Sequence, residues 1–140
     1  MTPLQIYSAH VPRYTSYPTA PHFHGGVNGA AYGEWLAALA PRTPLSLYLH
    51  IPFCDTLCWF CACHTTVVNN YGPVRDYVER LEREIRLIGG MLKGHHPVSH
   101  IHFGGGSPTM LARQDMLRLN RLLRDTFDVA AGAEMAIEID

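Results

Sequence analysis

Apolar and polar residues alternate strictly from Leu45 to Ile51, with Leu45, Leu47, Leu49 and Ile51 in one phase and Ser46, Tyr48 and His50 in the other. A period of two is that of a strand with two distinct faces, and Pro52 ends it. From about Pro73, a favoured first helical residue, to Leu92 the period lengthens, and Tyr77, Val78, Leu81, Ile85 and Ile88 form one apolar stripe. Gly89 and Gly90 are expected to help end this helix. A short strand over Val98–Phe103 and a helix over about Gln114–Thr126 follow. A last alternation sets Ala133, Met135, Ile137 and Ile139 against Glu134, Ala136, Glu138 and Asp140. The order strand, helix, strand, helix, strand, with links long enough for crossovers, predicts an α/β fold with parallel neighbours and right-handed connections. In parallel sheets of this kind, functional groups gather at the carboxyl ends of the strands.

Ahead of this pattern the chain is irregular. Val11–Gly26 is dense in Pro, Gly, Tyr and His, a composition that breaks both periodicities and reads as an arm. Tyr14, Tyr17 and Phe23 would be wasteful in a solvated tail, so the arm is expected to pack on another surface. A short helix over about Gly29–Leu39, with Tyr32, Trp35, Leu36 and Leu39 on one face, closes at Pro41 and Pro44. The expected organisation is therefore an arm and short helix over 1–43, then the sheet-forming part over 44–140.

Composition narrows the class. The 140 residues carry a net charge of -1 and are 47% hydrophobic, which suits a globular, cytoplasmic protein. Eleven basic residues balanced by twelve acidic ones, with no long basic run, argue against nucleic acid as a partner. No apolar run approaches the length that spans a membrane.

All four cysteines, Cys54, Cys58, Cys61 and Cys63, fall directly after the first strand. Cys54, Cys58 and Cys61 form C-x-x-x-C-x-x-C, long enough for a loop to curl three thiolates round one centre. Structural zinc sites usually clamp the metal between two separated pairs, and there is no second pair here, although Cys63 or His64 could be recruited. Disulfides need an oxidising compartment, and no secretory signal is evident. An iron-sulfur cube prefers soft thiolates and spreads its ligands over separate corners, so three cysteines would leave one iron open. The spacing favours the cluster over zinc and disulfides, and all three readings stand on spacing alone.

With these residues on the page, a resemblance is plain. HIPFC-x-x-x-C-x-F-C-x-C, then FGGGSPT and AIEID, resembles the radical S-adenosylmethionine (SAM) superfamily and, within it, the oxygen-independent coproporphyrinogen III oxidases. The arm, PRYTSYPTAPHF, and the C-x-C ending at Cys63 resemble that branch rather than its haem-chaperone relatives. The implied fold is the first half of a partial (β/α)6 TIM-like barrel, preceded by the irregular arm. Carried over residue by residue, Cys54, Cys58 and Cys61 would hold a 4Fe-4S cluster. Tyr48, Phe60, Gly105, Gly106, Ser107 and Glu138 would contact SAM, with Phe60 against the adenine and the glycine run, from Gly104, at the methionine end. Cys63 would stand beside the cluster without binding it. Tyr48, His50, His100 and His102 are expected to face the barrel interior; no catalytic side chain is assigned.

The resemblance also implies a reaction. Reductive cleavage of SAM would give a 5'-deoxyadenosyl radical that takes hydrogen from propionates of coproporphyrinogen III. Loss of carbon dioxide and one further electron would leave the vinyl groups of protoporphyrinogen IX, so an electron donor and an electron acceptor are expected partners. The alternatives are a haem-binding relative and a catalytically silent fragment. A full barrel takes about 250 residues, so a three-stranded chain is expected to be inactive alone.

Overall fold

The computed structural model describes residues 18–139, which divide between Tyr32 and Gly33 into two compact units. In the first, a single 3-10 turn covers Ala20–His22. Asn28 then caps helix α1 (Gly29–Ala37), its side-chain oxygen accepting the N–H groups of Ala30 and Ala31 at 3.0 Å each. Tyr14 and Tyr17 lie outside the described residues. Phe23 is exposed, so the packing expected of the arm's aromatics is not found at that residue. The apolar face expected of α1 is also not buried: Tyr32 and Trp35 are exposed, and only Leu36 and Leu39 are half-covered.

The second unit is built on a parallel sheet. Strand β1 (Leu45–Ile51) leads to two short strands, β2 (Phe53–Cys54) and β3 (Thr66–Val67), which pair in parallel with each other. Helix α2 (Gly72–Met91), strand β4 (Pro97–Gly105), helix α3 (Arg113–Thr126) and strand β5 (Asp128–Ile137) follow. The main sheet has the order β1-β4-β5, all parallel, so each helix crosses from one strand to its neighbour. Residues of matching phase meet across it: Tyr48 lies opposite His102, His50 opposite Gly104, and His102 opposite Ala136.

One sheet face is apolar and covered. Leu49, Ile51, Val98, Ile101 and Phe103 pack against Val74, Val78, Leu81 and Ile85 of α2 and Leu119 and Leu123 of α3. Ile51, Val74, Val78, Val98 and Leu119 are wholly inaccessible, and burial of each such side chain contributes about 1.5–3 kcal/mol. The other face carries Ser46, Tyr48, His50, His100 and His102, none of which is buried among the described residues. This is the division that the alternation in β1 predicts.

Three details depart from the expected pattern. Strand β5 begins at Asp128, five residues before the alternation becomes regular, because its pairing with β4 shifts register between Val98 and His100. Gly89 and Gly90 do not end α2 but lie inside it. A Cβ at Gly89 would collide with the Thr126 side chain, so this glycine permits the close approach of the two helix ends. Val74, outside the expected stripe, is among the most deeply buried residues.

Polar contacts lock the helices at the carboxyl edge of the sheet. Tyr71 precedes α2 and Ala112 precedes α3; the Tyr71 hydroxyl accepts the Ala112 N–H at 2.8 Å and donates to the buried Asp115 carboxylate at 2.6 Å. Arg118 pairs with the same carboxylate at 3.3 Å and with Glu82 of α2. Desolvation, then the hydrogen bond to Asp115, raises the Tyr71 pKa. Among the described residues, no helix is long and apolar enough to cross a membrane. Tyr71→Phe should leave one oxygen of the buried Asp115 carboxylate without its donor, lowering unfolding free energy by about 1–3 kcal/mol in urea titrations.

Candidate functional site

The carboxyl ends of β1 and β4 come together through backbone pairing rather than through side chains. Gly106 donates its N–H to the Ile51 carbonyl at 2.8 Å, and Ser107 donates to Phe53 at 2.7 Å. On the opposite side, Thr66 donates to Pro52 at 2.7 Å and Val68 to Cys54 at 3.0 Å. Residues 52–54 are thus held between the glycine run and β3. The cysteine loop emerges from that clamp.

The glycines are required by close contacts. A Cβ on Gly106 would stand 2.5 Å from the Phe53 carbonyl oxygen and 2.6 Å from the Thr65 hydroxyl. Gly105 has φ +114°, a left-handed conformation that disfavours side chains, and a Cβ there would meet the His50 ring at 2.6 Å. Above Gly104, the space of a Cβ is taken by Tyr48 at 2.8 Å and the Glu138 carboxyl at 3.0 Å. Three consecutive glycines therefore admit a different set of neighbours at each position of the same stretch of backbone.

Those neighbours form a connected polar patch. The Glu138 N–H donates to the Phe103 carbonyl at 2.9 Å, which places its side chain over the end of β4. Its Oε2 accepts the Gly105 N–H at 2.9 Å and its Oε1 lies 3.2 Å from His102 Nε2. The Tyr48 ring leans on both His102 and His50, with centroids 5.6 Å and 5.9 Å away. His50 Nε2 faces the His64 carbonyl at 2.9 Å, and a carbonyl can only accept. The proton is therefore on Nε2, and in the neutral ring Nδ1 accepts from the Tyr48 hydroxyl at 3.1 Å. His50 in this way ties β1 to the far end of the cysteine loop. Tyr77 of α2 secures the same strand end by donating to the His50 carbonyl at 2.6 Å.

The electrostatics of the patch oppose further negative charge. Desolvation raises the Tyr48 pKa, and the charges of Glu138 and Cys63 add to it. The Cys63 thiol is also pushed up, first by desolvation, then by the charge of Cys61, a hydrogen bond to Cys61, and the charges of Glu138 and Cys54. Cys63 thus stands within electrostatic reach of the Cys54 and Cys61 thiols and of Glu138. A cationic group is what such a patch would favour.

The sequence-derived residues are not all brought together. Tyr48, Gly105 and Glu138 are neighbours, and Gly106 lies under the cysteine loop. Ser107 is buried at 2% exposure, below the patch, whereas Phe60 is 89% exposed on the loop. All four cysteines are free: Cys54 is buried, its Sγ 3.2 Å from the Thr65 hydroxyl, Cys61 is half-buried, and Cys58 and Cys63 are exposed. Cys54, Cys58 and Cys61 share one loop but do not close into a ligand set. Among the described residues no group of three or more His, Cys, Asp or Glu side chains stands close enough to hold a metal ion. The donor chemistry suits an iron-sulfur cluster nonetheless, since three soft thiols free of disulfides lie at and just beyond a fixed root. Thr65 and the His64 carbonyl, which anchor that loop, have no signature in the spacing of the sequence.

The family model of the radical SAM superfamily matches residues 48–140, from the strand before the cysteines to the last residue. The chain belongs to the radical SAM superfamily. This radical SAM chain is 44% identical over 130 residues to an oxygen-independent coproporphyrinogen III oxidase of Bradyrhizobium diazoefficiens, covering 93% of its own length. It is 43% identical over 137 residues to the protein of the same name from Escherichia coli, covering 98% of its own length. The solved structure of coproporphyrinogen III oxidase from Escherichia coli, a radical SAM enzyme, superposes with a TM-score of 0.82 at 41% identity over 91% of the chain. The chain spans 29% and 30% of the length of those two relatives and 29% of that structure. The parallel α/β sheet is the one expected from the resemblance.

Gly106→Ala should force the glycine run away from Phe53 and release the cysteine loop. Limited proteolysis within residues 55–65 should then accelerate by about tenfold or more. Gly132→Ala, where a Cβ meets nothing within 4 Å, should leave the rate unchanged.

Proposed function

We propose that the chain carries the cluster-binding and SAM-binding part of an oxygen-independent coproporphyrinogen III oxidase, acting in porphyrin biosynthesis in the cytoplasm. The observation that carries the reading is the similarity to enzymes of that name over nearly the whole chain, arm and cysteine loop included. The geometry supports it: the thiol loop is rooted beside an exposed aromatic and carboxylate patch at the carboxyl ends of parallel strands.

In this reading Cys54, Cys58 and Cys61 hold a 4Fe-4S cluster, and Cys63 stays outside the ligand set. The cluster and SAM, when bound, supply one-electron chemistry that starts removal of hydrogen and carbon dioxide from the substrate propionates. The chain's own residues bind and orient. Tyr48, Phe60 and Glu138 are the exposed groups offered to SAM, the two rings as flat apolar faces and Glu138 as an anion for its cationic end. Gly105 and Gly106 offer backbone to the methionine end of SAM while admitting His50 and Phe53 where side chains would stand, and Ser107 contributes from below by fixing the turn. His50 keeps the cysteine loop in register with the strand that carries Tyr48. An electron donor, an electron acceptor and coproporphyrinogen III are the partners this role requires.

Anaerobic reconstitution followed by reduction should give an electron paramagnetic resonance signal of a reduced 4Fe-4S cluster that changes when SAM is added. Cys58→Ser and Cys61→Ser should lose bound iron, while Cys63→Ser should retain it. Zinc in place of iron, or a signal indifferent to SAM, would overturn the assignment.

A further inference from the structure

We propose that His102 is a positioning residue that sets the orientation of the Glu138 carboxylate at the SAM site, an inference that rests on the function proposed above. Glu138 lies one residue beyond the end of β5, where its side chain is not fixed by regular pairing. Two donors from β4 and its end hold it: Gly105 N–H on Oε2 at 2.9 Å, and His102 Nε2 on Oε1 at 3.2 Å. An ionised carboxylate only accepts, so the imidazole proton sits on Nε2. The ring cannot swing away freely, because Tyr48 leans against it with centroids 5.6 Å apart at 46°.

Stability does not account for this arrangement. The His102 and Glu138 side chains are 42% and 49% exposed, and exposed pairs contribute about 0–1 kcal/mol. Two other histidine-carboxylate pairs are present among the described residues, His95–Asp128 and His100–Glu134. Those carboxylates pair with their imidazoles, whereas Glu138 is held by both the imidazole and the Gly105 N–H. Without the imidazole, one carboxylate oxygen loses its donor and the side chain can rotate about its bond to Gly105. The charge would remain but its direction would not.

The test uses His102→Gln, which keeps a donor near the position of Nε2, and His102→Leu, which has none. In the cofactor-free chain, the Gly105 amide is followed by proton-nitrogen NMR, with Glu138→Ala as the reference for a missing carboxylate. Affinity for SAM is measured by equilibrium dialysis on the reconstituted chain. His102→Gln should keep the Gly105 resonance near its original position and hold SAM affinity within about threefold. His102→Leu should move the resonance towards that of Glu138→Ala and weaken SAM by about tenfold or more, the loss expected for a hydrogen bond to a charged group. Thermal unfolding should be the same in both. An unmoved Gly105 resonance in His102→Leu, or equal losses in the two variants, would overturn the proposal. Failure of the unsubstituted chain to bind SAM would overturn the proposed function instead, and the Gly105 resonance would then decide the positioning role alone.

Discussion

The site depends on a backbone contact that side chains would prevent. Gly106 and Ser107 bond to the carbonyls of Ile51 and Phe53, bringing the end of β4 against the root of the cysteine loop. A single methyl group at Gly106 would meet the Phe53 carbonyl oxygen, an atom that cannot move without breaking the same pairing. From this contact follow the fixed position of Cys54, the room for His50 beside Gly105, and the access of Glu138 to the Gly105 amide. Stability and function therefore draw on the same three glycines.

The sheet sets the scale of that arrangement. Its apolar face is packed by α2 and α3 along β1 and β4, while Met135 and Ile137 of β5 stay partly exposed, so strand position is determined by packing against Ile51, Ile101 and Phe103. The polar face is then free to carry groups chosen for chemistry. Tyr48, His50, His102 and Glu138 would be costly on the buried side, where each polar atom would need an internal partner. On the open side they partner one another and keep surface available. Parallel pairing brings them to one end because β1 and β4 run in the same direction and stop together.

Much of this was legible in the chain. The two-residue period of Leu45–Ile51 gave the strand to the residue, and the long stripe gave α2 to within one residue at each end. Elements with no period were not legible: β2 and β3 are two residues each and exist through pairing alone. The start of β5 was hidden by a register shift, and Gly89 read as a terminator because its partner, Thr126, lies far along the chain. At the site, residue types and order pointed to the thiol loop, the glycine run and Glu138. The internal links could not be read, since His50 to His64 and His102 to Glu138 join a strand to residues outside the strands and distant in the chain. Ser107 illustrates the same limit: a hydroxyl in a motif gives no indication that it is buried.

The Tyr71 hydroxyl bears on motion as well as on stability. One oxygen atom closes the start of α3 through Ala112 and reaches Asp115, while its own backbone begins α2. Fraying of either helix at that end would disturb the other, so the two crossover units are coupled where they border the cysteine loop. Opening there is then a concerted event with one threshold, and amide exchange in the first turns of both helices should share a single rate.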